Sequence, residues 1–181
     1  MRVFSEQLAE QLQAGLRACY LVFGDEPLQK MEALHQIRHL AREQGFSDIY
    51  RFSAIEEPLP WDDIHACSQS LSLFSSRQII EIELGDKLPK EWAERISELQ
   101  QHLHPDLLLI ILGPKLSSAQ SKSSWFTALD KQGVYIPVAL PDPRYFPRWM
   151  KLRSQQNGLR IDNDGITFLC HAFEGNLLAA A

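Results

Sequence analysis

The sequence predicts a doubly wound α/β domain, a largely parallel five-stranded sheet covered by helices on both faces, followed by the start of a small helical domain. Three observations carry this. Short apolar runs alternate with amphipathic helical repeats through the first 140 residues, and parallel strands need such crossover helices. The central runs are apolar at every position, as in strands buried on both faces. Three prolines then fall within Pro141–Pro147, and only helical patterns follow.

The elements follow in order. "SEQLAEQLQAGL" offers Ser5 as an N-cap and sets Leu8, Leu12 and Leu16 four residues apart, an amphipathic helix. "ACYLVFG" is a short buried strand entering a glycine turn. "LQKMEALHQIRHLAREQG" places Leu28, Met31, Leu34, Ile37, Leu40 and Ala41 on one helical face and stops at Gly45. "DIYRFSA" is a strand. "PWDDIHACSQSL" starts a helix at Pro60 with Trp61, Ile64, Cys67 or Ser68, and Leu71 at helical spacing. "RQIIEIEL" alternates Ile80, Ile82 and Leu84 with Glu81 and Glu83, a strand. "EWAERISELQQHL" is helical, "DLLLIILG" a central strand, "SSWFTALDKQG" helical and "VYIPVAL" the fifth strand. Domain one is therefore expected over 1–140. The helical part spans 141–181, with its helices starting near Arg144. Leu177 to Ala181 end in strong helix formers without a closing glycine or charge, so the chain is expected to be a piece of a longer protein.

Composition limits what such a protein does. With 181 residues it can bury a real core. No apolar run approaches the length that spans a bilayer, and the N-terminus has no apolar signal core, so a cytoplasmic location without membrane contact is expected. Three cysteines, Cys19, Cys67 and Cys170, lie far apart with no Cys-x-x-Cys spacing, which argues against a disulfide framework and a zinc site and for reduced, buried thiols. A net charge of −5 disfavours a protein that coats nucleic acid by itself.

The turn after the first strand, "GDEPLQKM", is where phosphate would sit in this fold class. Against G-x-x-x-x-G-K-S/T, Gly24 and Lys30 fit, but Gln29 replaces the second glycine and Met31 the magnesium-binding hydroxyl. Asp25 and Glu26 add repulsion. Lys30 then reads as a solvated helix lysine. "HQIRH" puts His35 and His39 one turn apart, yet Gln36 stands where a zinc peptidase needs its glutamate, so two solvated histidines are expected. The serine-rich "KLSSAQSKSS" (Lys115 to Ser124) follows the central strand at the edge where such sheets bind ligands; it reads as a polar loop.

"GLRACYLVFGDEPL", "SLFSSRQ", "DLLLIILGPKLSSAQ", "SSWFTALDKQG", "PRWMKLRSQQNGL" and "FEGNLLA", in this order along the chain, resemble the delta subunit of the bacterial DNA polymerase III clamp loader. The degenerate P-loop, the parallel α/β domain and the helical second domain look like an AAA+ ATPase that has lost its ATPase site. In active relatives the lid carries G-x-L/M-R; here Gly175, Asn176 and Leu177 align and Leu178 takes the arginine's place. The strand "IIEIEL" lacks the D-E pair of a Walker B strand, though Glu81 and Glu83 leave this open. The resemblance implies a non-catalytic subunit of the polymerase complex, a nucleotidyltransferase assembly, with no cofactor.

It also implies partners: the beta sliding clamp, the motor subunits gamma and tau, delta-prime, and primer-template DNA through the whole complex. Clamp partners in this family resemble Q-L-S/D-L-F, and Ser70, Leu71, Ser72, Leu73 and Phe74 match all but the glutamine. Periodicity alone puts Phe74, three residues after Leu71, on the buried face. The resemblance makes the Leu73 and Phe74 pair an insert for a clamp pocket, with Leu71, Arg77 and neighbouring loops contributing. Burying the pair is worth about 1.5–3 kcal/mol per residue, whereas micromolar binding needs about 8 kcal/mol. The pair is then part of an interface and not the whole of it. Two alternatives remain: a P-loop NTPase using Lys30, and a DNA-contacting factor using Arg144, Arg148, Lys151 and Arg153.

Overall fold

A computed structural model describes residues 1–55, 58–69, 77–86, 88–173 and 175–181. Among them, β1 (Cys19–Gly24), β2 (Phe46–Ser53), β3 (Arg77–Glu83), β4 (Leu107–Gly113) and β5 (Val134–Val138) form one sheet in the order β2-β3-β4-β1-β5, with every pair parallel. The doubly wound, five-stranded parallel architecture expected from the sequence is present, and "DLLLIILG" is its central strand.

Strand alternation sorts the core into two layers. Tyr20 and Val22 of β1 join Ile79, Leu108, Ile110 and Ile136 against α1 (Leu8–Gln13) and α2 (Pro27–Glu43). Cys19, Leu21 and Phe23 point the other way, with Ile80, Ile82, Leu109 and Ile111, toward α3 (Trp61–Gln69), α4 (Lys90–Gln101) and α5 (Ser124–Gln132). Burial pushes the Cys19 thiol up to about 12. Cys67 and Cys170 are only half-buried, so the expectation of buried thiols holds fully for Cys19 alone. At the β5 edge, Tyr135 donates its N–H to Met1 O at 2.8 Å and accepts from Val3 N at 2.9 Å. Pro137, two residues on, points the same way without an N–H, which an edge strand tolerates.

Two local expectations are corrected. Ser5 does not cap the first helix: it starts a 3-10 turn (Ser5–Gln7), its hydroxyl donates to Gln29 Oε1 at 2.9 Å, and α1 ends before Gly15, leaving Leu16 outside it. Met31 is not on the core face of α2 but 57% exposed, because Ala33, Leu34, Ile37 and Ala41 define a narrower stripe. Glu81, which alternates with Ile80 and Ile82 in β3, does not face solvent. The sheet is covered on both sides, so its carboxylate is buried beneath α2, where Arg38 holds it through two bonds, Nε to Oε1 at 2.6 Å and Nη2 to Oε2, while Arg51 Nε reaches Oε2 at 3.2 Å.

After β5 come α6 (Phe146–Gln156), α7 (Asn163–Phe173) and α8 (Leu177–Ala180). Phe146, Met150, Ile166 and Leu177 pack together, and Leu28 of α2 completes their cluster. The last stretch read as helical is broken at Gly175, whose φ of 79° lies in the left-handed region that glycine tolerates.

Removing Arg38 strands a buried carboxylate, so Arg38→Ala is expected to lower unfolding free energy in urea by about 3 kcal/mol. Arg51→Ala, acting at the exposed side of the same carboxylate, is expected to cost under about 1 kcal/mol; equal losses would contradict this division of roles. Cys19, sealed and held neutral, should resist iodoacetamide at pH 8 in the native protein and react once the chain is unfolded, as thiol counting by mass spectrometry would show.

Candidate functional site

The sequence singled out two regions. The degenerate P-loop turn leaves the carboxyl end of β1, and residues 70–76, which hold Leu73 and Phe74, come between α3 and β3 in the chain.

At the first, Gly24 adopts φ 147°, and a Cβ there would lie 1.6 Å from Val138 O, so this strand end comes closer to β5 than any side chain permits. Asp25 Oδ1 accepts from Lys115 N at 3.1 Å, tying the turn to the loop after β4. Glu26 is the N-cap of α2 and only 3% exposed; its carboxylate accepts from Leu28 N at 3.2 Å and Gln29 N at 2.6 Å. Pro27 has no N–H, and Lys30 N is committed to Glu26 O at 3.2 Å. The whole first turn of N–H groups, the donors that would cradle a phosphate in this fold, is thus spent inside the chain. The negative charge that suits a helix N-terminus is already supplied by Glu26.

The other residues of this region serve packing. Gln29, at the second-glycine position, donates from Nε2 to Ala139 O at 2.8 Å and accepts from Ser5, bracing the N-terminal segment against the end of β5. Lys30 is half-buried on α2, next to the exposed Met31. In α8, Leu177 packs against the Leu28 cluster while Leu178, at the lid-arginine position, is 52% exposed. Gly24, Gln29, Lys30 and Met31 therefore share one turn and its helix, and the α8 residue turned into the adjoining apolar cluster is Leu177, not Leu178. Glu83, one of the two carboxylates left open as a Walker B remnant, accepts from Ser53 Oγ at 3.3 Å; the other, Glu81, is the Arg38 partner described above.

At the second region, Ser70, Leu71, Ser72, Leu73 and Phe74 lie outside the described residues. Both flanks are described. Gln78, buried at the start of β3, donates from Nε2 to Cys67 O at 2.8 Å, joining the last turn of α3 to the strand that follows. Gln69 Nε2 lies 3.4 Å from His102 Nε2 at the end of α4. Arg77 donates from Nε to Asp106 Oδ1 at 3.0 Å and from Nη1 to Gln44 O at 2.8 Å, with its guanidinium 5.5 Å from the Phe46 ring centre. Arg77 thus anchors the entry to β3 while 42% of its side chain stays exposed. Sequence reasoning took Glu26 only as a charge that repels phosphate, missing its role as the α2 N-cap, and missed Gln78 altogether. An acidic residue before Pro at a helix start was the signal for the first; for the second, a lone Gln between apolar strand positions gave no clear one.

The four-cation cluster proposed for DNA is partly spent. Arg144 is bonded to Asp142 through Nε and Nη2, both at 3.0 Å, holding the Asp142 carboxyl below its usual range. Arg153 Nη1 pairs with Glu32 Oε1 at 2.6 Å across α6 and α2. Arg148 and Lys151 are exposed. His35 and His39 sit on the solvent side of α2, and no group of three or more His, Cys, Asp and Glu suited to a metal ion occurs among the described residues.

A family model described as "DNA polymerase III, delta subunit" matches residues 20–139. DNA polymerase III subunit delta of Escherichia coli (strain K12) is 40% identical over 182 residues, covering 100% of this chain and 53% of that protein. The protein of the same name from Haemophilus influenzae (strain ATCC 51907 / DSM 11121 / KW20 / Rd) is 34% identical over 181 residues, covering 98% of this chain and 52% of that one. Among solved structures, the Bacillus subtilis DNA clamp loader delta protein matches with a TM-score of 0.72 and 16% identity over 97% of this chain and 54% of that one, a likeness of fold. The chain spans about half the length of the curated relatives it matches.

Replacing Glu26 by Ala frees two amide donors and removes the cap; a loss of about 1–2 kcal/mol in chemical denaturation is expected. Gly24→Ala, which drives a methyl group into Val138 O, should destabilise more than Glu26→Ala in the same assay.

Proposed function

This chain belongs to the DNA polymerase III delta-subunit family, and on that premise we propose that it is a clamp-loader subunit that binds a ring-shaped sliding clamp through Leu73 and Phe74 and favours the open ring, without hydrolysing ATP itself. Residues 1–140 form the clamp-binding AAA+-like domain and 141–181 the start of its helical lid. Motor subunits, delta-prime and primer-template DNA are its companions through the whole assembly, in the cytoplasm.

The observation that carries the reading is the way both flanks of Ser70–Ser76 are fastened. Gln78 to Cys67 O, Gln69 beside His102, and Arg77 to Asp106 and Gln44 O fix the residues on either side of that segment. An apolar pair among serines between fixed points is suited to insertion into a partner pocket, because the cost of ordering its surroundings has been met in the fold. The ATP half of the proposal is supported by Glu26, which holds the amides that a phosphate would need. Binding alone then does the mechanical work: a surface that fits an open ring interface better than a closed one shifts the ring toward opening by the difference in affinity.

The test is retention of the sliding clamp on the immobilised chain. Leu73→Ala with Phe74→Ala removes about 3 kcal/mol or more of apolar burial, so clamp affinity should fall by at least about a hundredfold with the fold intact by circular dichroism. Undiminished clamp retention would refute the assignment of this pair. In a separate titration, magnesium-ATP up to millimolar concentration should give no saturable binding; a tight magnesium-dependent isotherm would restore the NTPase alternative.

A further inference from the structure

Five of the eleven exposed large apolar side chains among the described residues, Phe4, Met31, Leu140, Tyr145 and Leu152, line a single groove. Its two lobes, cavities of about 500 and 580 Å3, share Ser5, Glu6, Gln29, Trp149 and Leu152, so they run into one another between the N-terminal segment and α2 on one side and α6 on the other. Such a concentration of exposed apolar surface, rimmed by polar groups, is the mark of an interaction site.

Charge selects the partner. Arg153 and Glu32 neutralise each other at 2.6 Å, and Asp142 is held by Arg144. Among the described residues Arg2 has no carboxylate partner, and it lies over the rings of Phe4 and Tyr135, at 5.0 and 5.8 Å. Arg148 is exposed on α6, and Glu6 stands between the lobes as the one opposing charge among the described lining residues; His35 lies at the far end. The first lobe thus pairs Phe4, Leu140 and Tyr145 with two guanidinium groups.

We propose that this groove is a docking site for a segment of another protein in which carboxylates flank two or three large apolar side chains. The carboxylates pair with Arg2 and Arg148, whose fork geometry suits them, and the apolar anchors enter beside Phe4, Tyr145 and Leu152. The groove is too long for one small ligand to fill both lobes. Single-stranded nucleic acid suits it less: Met31, Leu140 and Leu152 offer no plane for a base to stack on, and two cations opposed by Glu6 make a weak phosphate track. This inference does not rest on Leu73 and Phe74, which lie outside the described residues.

The test is selection of random twelve-residue peptides displayed on phage against the immobilised chain, followed by fluorescence anisotropy with a synthetic peptide of the selected sequence. Selected peptides should combine Asp or Glu with Leu, Phe, Met or Trp. The synthetic peptide should lose at least about tenfold in affinity to Arg2→Ser with Arg148→Ser, and to Leu152→Asp, and gain with Glu6→Gln, each variant keeping the wild-type circular dichroism spectrum. Substituting Leu73 and Phe74 should leave peptide binding unchanged, which separates failure here from failure of the clamp assignment. Selected peptides lacking carboxylates, or binding indifferent to these groove variants, would overturn the proposal. So would saturable binding of a labelled oligothymidylate lost on removing Arg2 and Arg148, or displacement of the peptide by magnesium-ATP.

Discussion

The carboxylate of Glu26, folded back on the N–H groups of Leu28 and Gln29, is the contact on which the reading of this protein turns. It is a local N-cap, of a kind any helix uses. Its position makes it more. In an α/β sheet of this order the helix after β1 presents its N-terminus to whatever binds at the carboxyl edge, and here that place is taken by the chain's own anion. Pro27 removes the next donor, Gln29 carries a side chain where a P-loop needs bare backbone, and Leu28, one residue into the helix, is drawn into the apolar cluster of α6, α7 and α8. A single short run, Gly24–Met31, thereby forms a structural joint between the sheet and the helices that follow it.

Much of this was legible in the sequence because the signals involved are local. Alternation and helical spacing located all five strands and the helices between them, since each element must bury a face against the sheet. The loss of the P-loop glycine and hydroxyl was readable residue by residue. What failed required knowing a neighbour. The alternation of Glu81 with Ile80 and Ile82 does not reveal its partner; only α2 lying over that face, with Arg38 projecting from it, makes a buried carboxylate tolerable there. Met31 matched the core spacing of α2, but the apolar stripe is narrower than the pattern suggested, and the surface at Met31 opens on the groove against α6. Ser5 had the chemistry of a cap and was recruited across space by Gln29 instead. The flanks of Ser70–Ser76 depend on Gln78 and Asp106, which lie in different strands or their approaches and carry no short-range signature.

The helices after β5 are joined to α2 mainly through apolar packing. The face presented by Phe146, Met150, Ile166 and Leu177 takes in Leu28, and among the described residues the one strong polar link between these helices and α2 is the Arg153 to Glu32 pair. Apolar contact is short-ranged and indifferent to a ligand's charge, so this joint depends on no bound ligand. The groove lined by Met31, Leu152 and Tyr145 is what remains open beside that contact.

On the proposed function, this division of labour has an energetic logic. Moving a ring from almost closed to almost open by binding requires a preference of about 5.5 kcal/mol for the open form. Burial of Leu73 and Phe74 supplies about 3–6 kcal/mol together, a comparable quantity, provided that their pocket or its surroundings fit better in the open ring. If the pair were buried equally well in both forms, it would tighten binding and open nothing. A subunit of this kind therefore gains from a rigid frame around its insert, because slack in the frame would let it follow the closed ring as easily as the open one. Gln78 bonded to the Cys67 carbonyl, and Arg77 held between Asp106 and the Gln44 carbonyl, supply that stiffness at the amino edge of the sheet. At the carboxyl edge Glu26 occupies the first-turn amides of α2, so on the proposed function the timing of the cycle comes from other subunits of the assembly.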